Sequence, residues 1–392
     1  MQHKFDRIDR LPPYVFSEVN AMKARARAAE IDVIDFGMGN PDTGSPKHVV
    51  EKLVEAVSDP RTHRYSTSRG IKGLRQAVAN YYGNRFGVEL DIETEVIVTL
   101  GSKEGLANLA SAISAPGDVV LVPNPSYPIH PYGFVIAGAN VCPVRVGDGL
   151  DLMAEIKSAA MRVSPRPKAL VLNFPNNPTG AVVDLEFYSE VVEFARSIGM
   201  YILSDIAYAE IYFDGQPPPS ILQVPGAMDI AVEFSSVSKT YSMPGWRVGF
   251  GAGNKDLIGA LARIKSYLDY GAFTPIQVAA SAALNGPQEC VEAIRNRYRE
   301  RRDVLIDSFA SSGWEIPSPR ATMFVWAPVP AAFEALGSLQ FSKILLEEAR
   351  VAVSPGIGFG KYGDGHVRLA LVENRQRIRQ AARNVRQFLS KY

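Results

Sequence analysis

Phe234-Ser-Ser-Val-Ser-Lys239-Thr-Tyr-Ser-Met-Pro-Gly-Trp-Arg247-Val-Gly249 places a lysine directly after an apolar, strand-like run. Ser236 and Ser238 precede it and Arg247 follows. Alone, Lys239 reads as one surface lysine among many. Three further stretches change that reading. Asn173-Phe-Pro-Asn-Asn177-Pro-Thr-Gly180, Ser204-Asp205-Ile-Ala-Tyr208 and Gly101-Ser102-Lys103-Glu-Gly105 each follow a strand-like run of their own. The runs Val96–Leu100, Val119–Val122, Ala169–Asn173, Met200–Ser204, Ala231–Ser235 and Val248–Ala252 alternate with amphipathic stretches such as Lys103–Ser114 and Asp184–Ile198. That alternation predicts a mostly parallel sheet with helices on both faces, with ligands at the carboxyl ends of the strands. Asn177, Asp205, Tyr208 and Lys239 then share one rim. Gly101 opens a helix, whose free N–H groups favour a phosphate.

Outside this region the texture changes. A long charged helix over Cys290–Ser311, short strands Met323–Trp326 and Val367–Leu371, and a terminal helix follow. In the terminal helix Ile378, Ala381, Ala382, Val385, Phe388 and Leu389 recur at helical spacing, and the surrounding arginines read as its solvated exterior. A helix over Ser17–Glu30, a strand over Asp32–Phe36 and the turn Gly37–Asp42 join this C-terminal part in a smaller lobe. The expected division is an N-terminal arm with part of the small domain over 1–48, a large domain over 49–285 and a small domain over 286–392.

The 392 residues exceed a typical domain of about 100–200 residues, consistent with two lobes. With 42 Lys+Arg against 41 Asp+Glu, the net charge of +1 argues against a nucleic-acid or anionic-membrane partner. Any bound anion must be held locally. Cys142 and Cys290 lack CxxC spacing, so a zinc ribbon or disulfide scaffold is not expected. The start carries charges and prolines where a signal peptide needs an apolar core, and no apolar run approaches a membrane span. A cytoplasmic protein is expected. Gly356-Ile-Gly-Phe-Gly-Lys-Tyr362 fails the Walker pattern, because Pro355 stands where glycine is needed and Tyr362 where Ser or Thr is needed. Gly249-Phe-Gly-Ala-Gly253 lacks dinucleotide spacing, and His3, His48, His63, His130 and His366 form no metal pattern. Neither NAD, ATP nor metal is expected.

These motifs together resemble the class I/II pyridoxal-phosphate aminotransferases of fold type I, nearly end to end. The Ser-x-Ser-Lys signature ending at Lys239, with Gly245-Trp-Arg247-Val-Gly249 after it, is specific. Arg7-Ile-Asp-Arg-Leu-Pro-Pro-Tyr-Val-Phe16, Met38-Gly-Asn-Pro-Asp42, Tyr65-Ser-Thr-Ser-Arg-Gly70 and Val353-Ser-Pro-Gly-Ile-Gly-Phe-Gly360 resemble the bacterial glutamate–pyruvate (alanine) aminotransferases. The resemblance implies a mostly parallel central sheet sandwiched by helices, with a smaller α+β domain built from both termini.

It also implies roles. Lys239 joins the aldehyde of pyridoxal 5′-phosphate and, once freed by substrate, moves a proton between Cα and the cofactor. Asp205 keeps the ring nitrogen protonated. Asn177 and Tyr208 hydrogen-bond the phenolic oxygen, and Tyr127 stacks on the ring. Gly101, Ser102, Lys103, Ser236, Ser238 and Arg247 hold the phosphate, with Tyr65 reaching in from the partner of a homodimer. Arg368 grips the substrate α-carboxylate, helped by Asn177 and the Gly39 backbone, and Tyr14 closes over the site. A planar guanidinium fork suits a carboxylate.

One group of aspartate aminotransferases brings a second arginine in a loop corresponding to Ser266–Pro275, which here has none. That favours a small amino acid. The expected reaction is amino-group transfer between L-alanine and 2-oxoglutarate, giving pyruvate and L-glutamate, by ping-pong kinetics. The alternatives are an aspartate, methionine, aromatic or LL-diaminopimelate aminotransferase and, further off, a pyridoxal-phosphate-dependent C–S β-lyase. A ligand-sensing regulator on this fold would carry an added basic winged-helix domain, and no stretch fits one.

Overall fold

A computed structural model describes residues 5–147 and 149–392; His3 therefore lies outside the described residues. Strands Val96–Thr99, Gly249–Gly253, Ala231–Ser236, Tyr201–Asp205, Ala169–Asn173, Val119–Asn124 and Asn140–Arg145 stand side by side, in that order, in one sheet. All neighbours are parallel except at Gly249–Gly253, which runs antiparallel to both strands flanking it. The expected strands are all present. Asn140–Arg145 is an additional edge strand, and its exposed and half-buried residues explain why no apolar run announces it.

Strands buried on both faces read as continuous apolar runs. In Ala169–Asn173 every residue is buried. Leu170 and Leu172 pack into one core with Tyr82, Tyr188 and Ile202, while Ala169 and Val171 face a second core with Leu109, Phe134 and Phe234. This is the two-residue alternation of a strand separating two layers. The helices begin and end close to their expected limits. Helix Leu185–Ile198 is capped by Asp184, whose carboxylate accepts from the Phe187 N–H at 2.9 Å.

A third core draws mainly on both chain ends: Ile34 and Phe36 meet Ile294, Leu305, Phe309, Phe341, Val367, Ile378 and Phe388, with Tyr208, Ile211 and Phe213 joining from the middle of the chain. Its sheet is antiparallel, with His366–Ala370 between Ser354–Pro355 and Phe324–Pro328. Ile34–Asp35 pairs in parallel with Val351–Ala352. The terminal helix Arg375–Leu389 buries Ile378, Ala381, Ala382, Val385 and Phe388, the spacing read from the sequence. Among the described residues no helix is long and apolar enough to cross a membrane.

One buried charge stands out beneath the sheet. Glu233 is fully buried and takes hydrogen bonds from Tyr82 Oη, Ser204 Oγ, Ser220 Oγ and the Ile221 N–H. Burial pushes its carboxyl up to about 7, against those donors. A carboxyl raised in the folded state stabilises it fully below the unfolded value and loses that contribution as pH rises through 7. The stability of the parent protein relative to Glu233→Gln should therefore fall between pH 4.5 and 8, by on the order of 3 kcal/mol. Denaturant melts of both proteins across that range check it; a pH-independent difference would refute it.

Candidate active site

Register aligns the strand ends that matter. Asn173 pairs with Asp205, and Asp205 with Phe234, two residues before Ser236. The carboxyl ends of these strands therefore open onto one cavity of about 340 Å³. It is lined by Gly101, Ser102, Lys103, Tyr127, Asn177, Asp205, Tyr208, Ser236, Ser238, Lys239 and Arg247 from the large sheet. Tyr14, Gly39 and Arg368 line it from the other side. The structure thus gathers every residue singled out in the sequence except Tyr65. Tyr65 is 86% exposed and rests against Tyr270, with ring centroids 4.8 Å apart.

At one end of the cavity a cradle for an anion forms. Helix Ser102–Ile113 begins at Gly101, whose φ of 87° is left-handed. A Cβ on Gly101 would stand 2.3 Å from Arg247 Nη2, so only glycine admits the guanidinium there. Arg247 itself has φ 57°, a strained conformation for a side chain of this kind. It donates to the carbonyls of Pro244 at 2.8 Å and Leu100 at 3.1 Å, and it has no carboxylate partner among the described residues. Ser236 Oγ lies 2.7 Å from Ser238 Oγ, and the Ser238 N–H donates to Ser236 Oγ at 3.0 Å. Helix N–H groups, two hydroxyls and an unpaired guanidinium make a donor set suited to a phosphate.

Lys239 sits in the short helix Val237–Thr240 and donates from Nζ to the Gly39 carbonyl at 2.9 Å. Burial, with the Arg368 and Arg247 guanidiniums nearby, pulls its amine down to about 8. An amine that releases its proton this easily can act as nucleophile and base.

Arg368, in the small sheet, is buried without a carboxylate partner among the described residues. Its guanidinium lies between the rings of Phe324 and Phe359, 3.9 and 4.7 Å from their centroids, and Nη1 donates to Asn177 Oδ1 at 2.8 Å. Its Nε has no hydrogen-bond partner. Burial brings this group down to about 10. A buried cation left without an anion is costly, which marks a place for a carboxylate from outside the chain.

Asp205 lines the same cavity. His130 Nε2 lies 3.0 Å from Asp205 Oδ2, and the Ala207 N–H donates to Oδ1 at 3.1 Å. Asn173 Nδ2 donates to the Asp205 carbonyl at 2.8 Å, while its Oδ1 accepts from the Asn177 N–H. Sequence reading passed over His130 and Asn173. The available signal was a histidine inside the apolar opening of helix Ile129–Ala137, because a buried imidazole needs a polar partner. Tyr208 meets Phe324 edge-on at 5.5 Å, and burial raises its phenol above the ordinary range. Tyr127 stands edge-on to His130 at 6.1 Å. Tyr14, 64% exposed, touches Phe16, which in turn meets Phe359. Among the described residues no cluster of His, Cys, Asp and Glu could hold a metal ion.

Comparison with known proteins gives the family. The family described as "Aminotransferase class I and II" matches residues 31–385. The chain is 55% identical to the glutamate-pyruvate aminotransferase AlaC of Escherichia coli (strain K12), over 98% of this chain and 93% of that protein. It is 45% identical to the LL-diaminopimelate aminotransferase of Moorella thermoacetica, over 98% of each. The substrate-bound BacF structure from Bacillus subtilis superposes with a TM-score of 0.91 at 34% identity, covering 99% of this chain and 98% of that one.

Proposed function

Because the chain belongs to the class I and II aminotransferases, an enzyme family that depends on pyridoxal phosphate, we propose that it moves an amino group between L-alanine and 2-oxoglutarate, by ping-pong kinetics. The observation that carries the site is the charge pattern: Lys239, Arg247 and Arg368, none of them ion-paired among the described residues, line the same cavity as one carboxylate, Asp205. That is the complement of a ligand pair bringing a phosphate, an amine-reactive carbonyl and a carboxylate.

When bound, pyridoxal phosphate supplies an aldehyde that condenses with amines and a ring that accepts the electrons of a broken Cα–H bond. Gly101, Ser102, Lys103, Ser236, Ser238 and Arg247 would hold its phosphate. Tyr127 would lie on the ring, Asp205 would keep a proton on the ring nitrogen, and Asn177 and Tyr208 would donate to its phenolic oxygen. His130 supports Asp205 from behind. Lys239 would hold the aldehyde and would take and return the proton at the substrate Cα. Arg368 orients the α-carboxylate with Asn177 and the Gly39 backbone, and Tyr14 and Phe16 screen the mouth from water.

The exposure of Tyr65 supports a homodimer in which this side chain completes the partner's phosphate site. The division at residues 48 and 285 follows the separate cores except that Tyr208, Ile211 and Phe213 pack with the smaller one and Val291 with the larger, and a cytoplasmic location fits the substrates. Alanine as donor is supported by the likeness to AlaC and by the arginine-free stretch Ser266–Pro275. The likeness to LL-diaminopimelate aminotransferases favours a second reading, with that longer diamino acid as donor. Purified protein loaded with pyridoxal phosphate should form alanine from pyruvate and glutamate faster than it uses LL-diaminopimelate. The reverse order would replace the first reading by the second.

A further inference from the structure

One buried charge on the cavity wall has no part in the scheme above. Phe16, Val19, Asn20 and Lys23 occupy one face of helix Phe16–Ala28, and all four line the cavity. Lys23 is only 5% exposed, and its ammonium donates to Asp35 Oδ2 at 3.0 Å and Oδ1 at 3.3 Å. Asp35 Oδ1 also accepts from the Gly37 N–H at 2.9 Å. Ser354 Oγ donates to the Gly37 carbonyl at 2.8 Å, so Gly37 is held at both its N–H and its carbonyl.

The chain leaving that fixed point reaches Gly39 two residues later. There the carbonyl takes the hydrogen bond from Lys239, and a Cβ would stand 3.5 Å from Arg368 Nη2. The same position cannot carry a side chain, because that Cβ would strike the Phe324 ring at 2.7 Å.

We propose that Lys23 is a positioning residue: by holding Asp35 it fixes the Gly37–Gly39 backbone against both Lys239 and Arg368. The inference rests on the aminotransferase reading of the cavity. Its energetic basis is that a buried ion pair fixes geometry, and removing one member leaves the other uncompensated. Arg27, 3.3 Å from Asp35 Oδ2 but largely exposed, replaces Lys23 poorly.

The test uses the full chain with three variants: Lys23→Met, Lys23→Arg and the double variant Lys23→Met/Asp35→Leu. The double variant removes both charges, so it keeps the experiment informative where the single loss unfolds the helix. Two readouts are independent of turnover. The first is the dissociation constant of propionate and of glutarate for protein loaded with pyridoxal phosphate, followed by absorbance. The second is the acetylation rate of Lys239 in cofactor-free protein, measured by mass spectrometry against Lys103 in the same digest.

Lys23→Met and the double variant should bind propionate and glutarate alike about tenfold more weakly, and Lys239 should acetylate several-fold faster in the double variant once the Gly39 carbonyl no longer holds its ammonium. Lys23→Arg should stay within about threefold of the parent on both readouts. Parent-like values in the double variant would overturn the proposal, as would full recovery of binding on adding Asp35→Leu to Lys23→Met. Loss of glutarate binding alone would instead make Lys23 a direct partner of a distal carboxylate, and so overturn it too. A parent protein that binds neither acid would sink the aminotransferase reading along with it.

Discussion

Lys239→Ala should lose transamination by at least about 10⁴-fold, because in the proposed scheme one group is both the covalent anchor and the carrier of the Cα proton. Its amine is set for both tasks: it is buried among guanidiniums that drive its proton off, and held by one carbonyl, that of Gly39. The loss should fall on kcat more than on KM, since Arg368 and the anion cradle remain. Borohydride treatment of the parent loaded with pyridoxal phosphate should leave a stable adduct on the peptide containing Lys239. The variant should show none. An adduct on another lysine, with turnover retained, would refute the assignment of the whole site.

Arg368→Leu should have two opposite effects. Its kcat/KM for every amino and oxo acid should fall by about 10²–10³-fold, through loss of the planar fork proposed to fix the α-carboxylate. Without substrate, the same variant should be more stable than the parent, by about 1–3 kcal/mol, because a buried, unpaired cation gives way to an apolar side chain between Phe324 and Phe359. Thermal melts with and without propionate separate the two effects: the acid should raise the melting temperature of the parent and leave that of the variant unchanged. A variant less stable than the parent would show that the two rings and Asn177 already compensate the charge.

The sheet was legible because its inner strands are buried on both faces, so runs such as Val119–Val122 and Ala169–Asn173 are apolar throughout. Edge strand Asn140–Arg145 was not, since only Val144 is fully buried and Pro143 and Arg145 interrupt the pattern. The antiparallel course of Gly249–Gly253 depends on the tight turn through Pro244–Trp246, which strand composition does not encode.

Site residues on strand ends were visible through their motifs. Those acting at one remove were not. His130 lies far from Asp205 in sequence, and Lys265 is fully buried between Glu104 and Asp269, both at 2.8 Å. Of that network only the Lys265–Asp269 spacing of one helical turn could be read directly. The Lys23–Asp35 pair was equally hidden, since a lysine in a charged helix gives no sign that it faces inward.

Asp205 ends a strand of the large sheet and Lys239 lies in the short helix that follows the neighbouring strand, whereas Arg368 stands on another sheet that packs around a separate core. In the proposed scheme a substrate held by Lys239 and Arg368 would therefore bridge two sheets that pack on different cores. Acids that reach only one of the two sheets should then be tolerated as guests yet fail to bridge them.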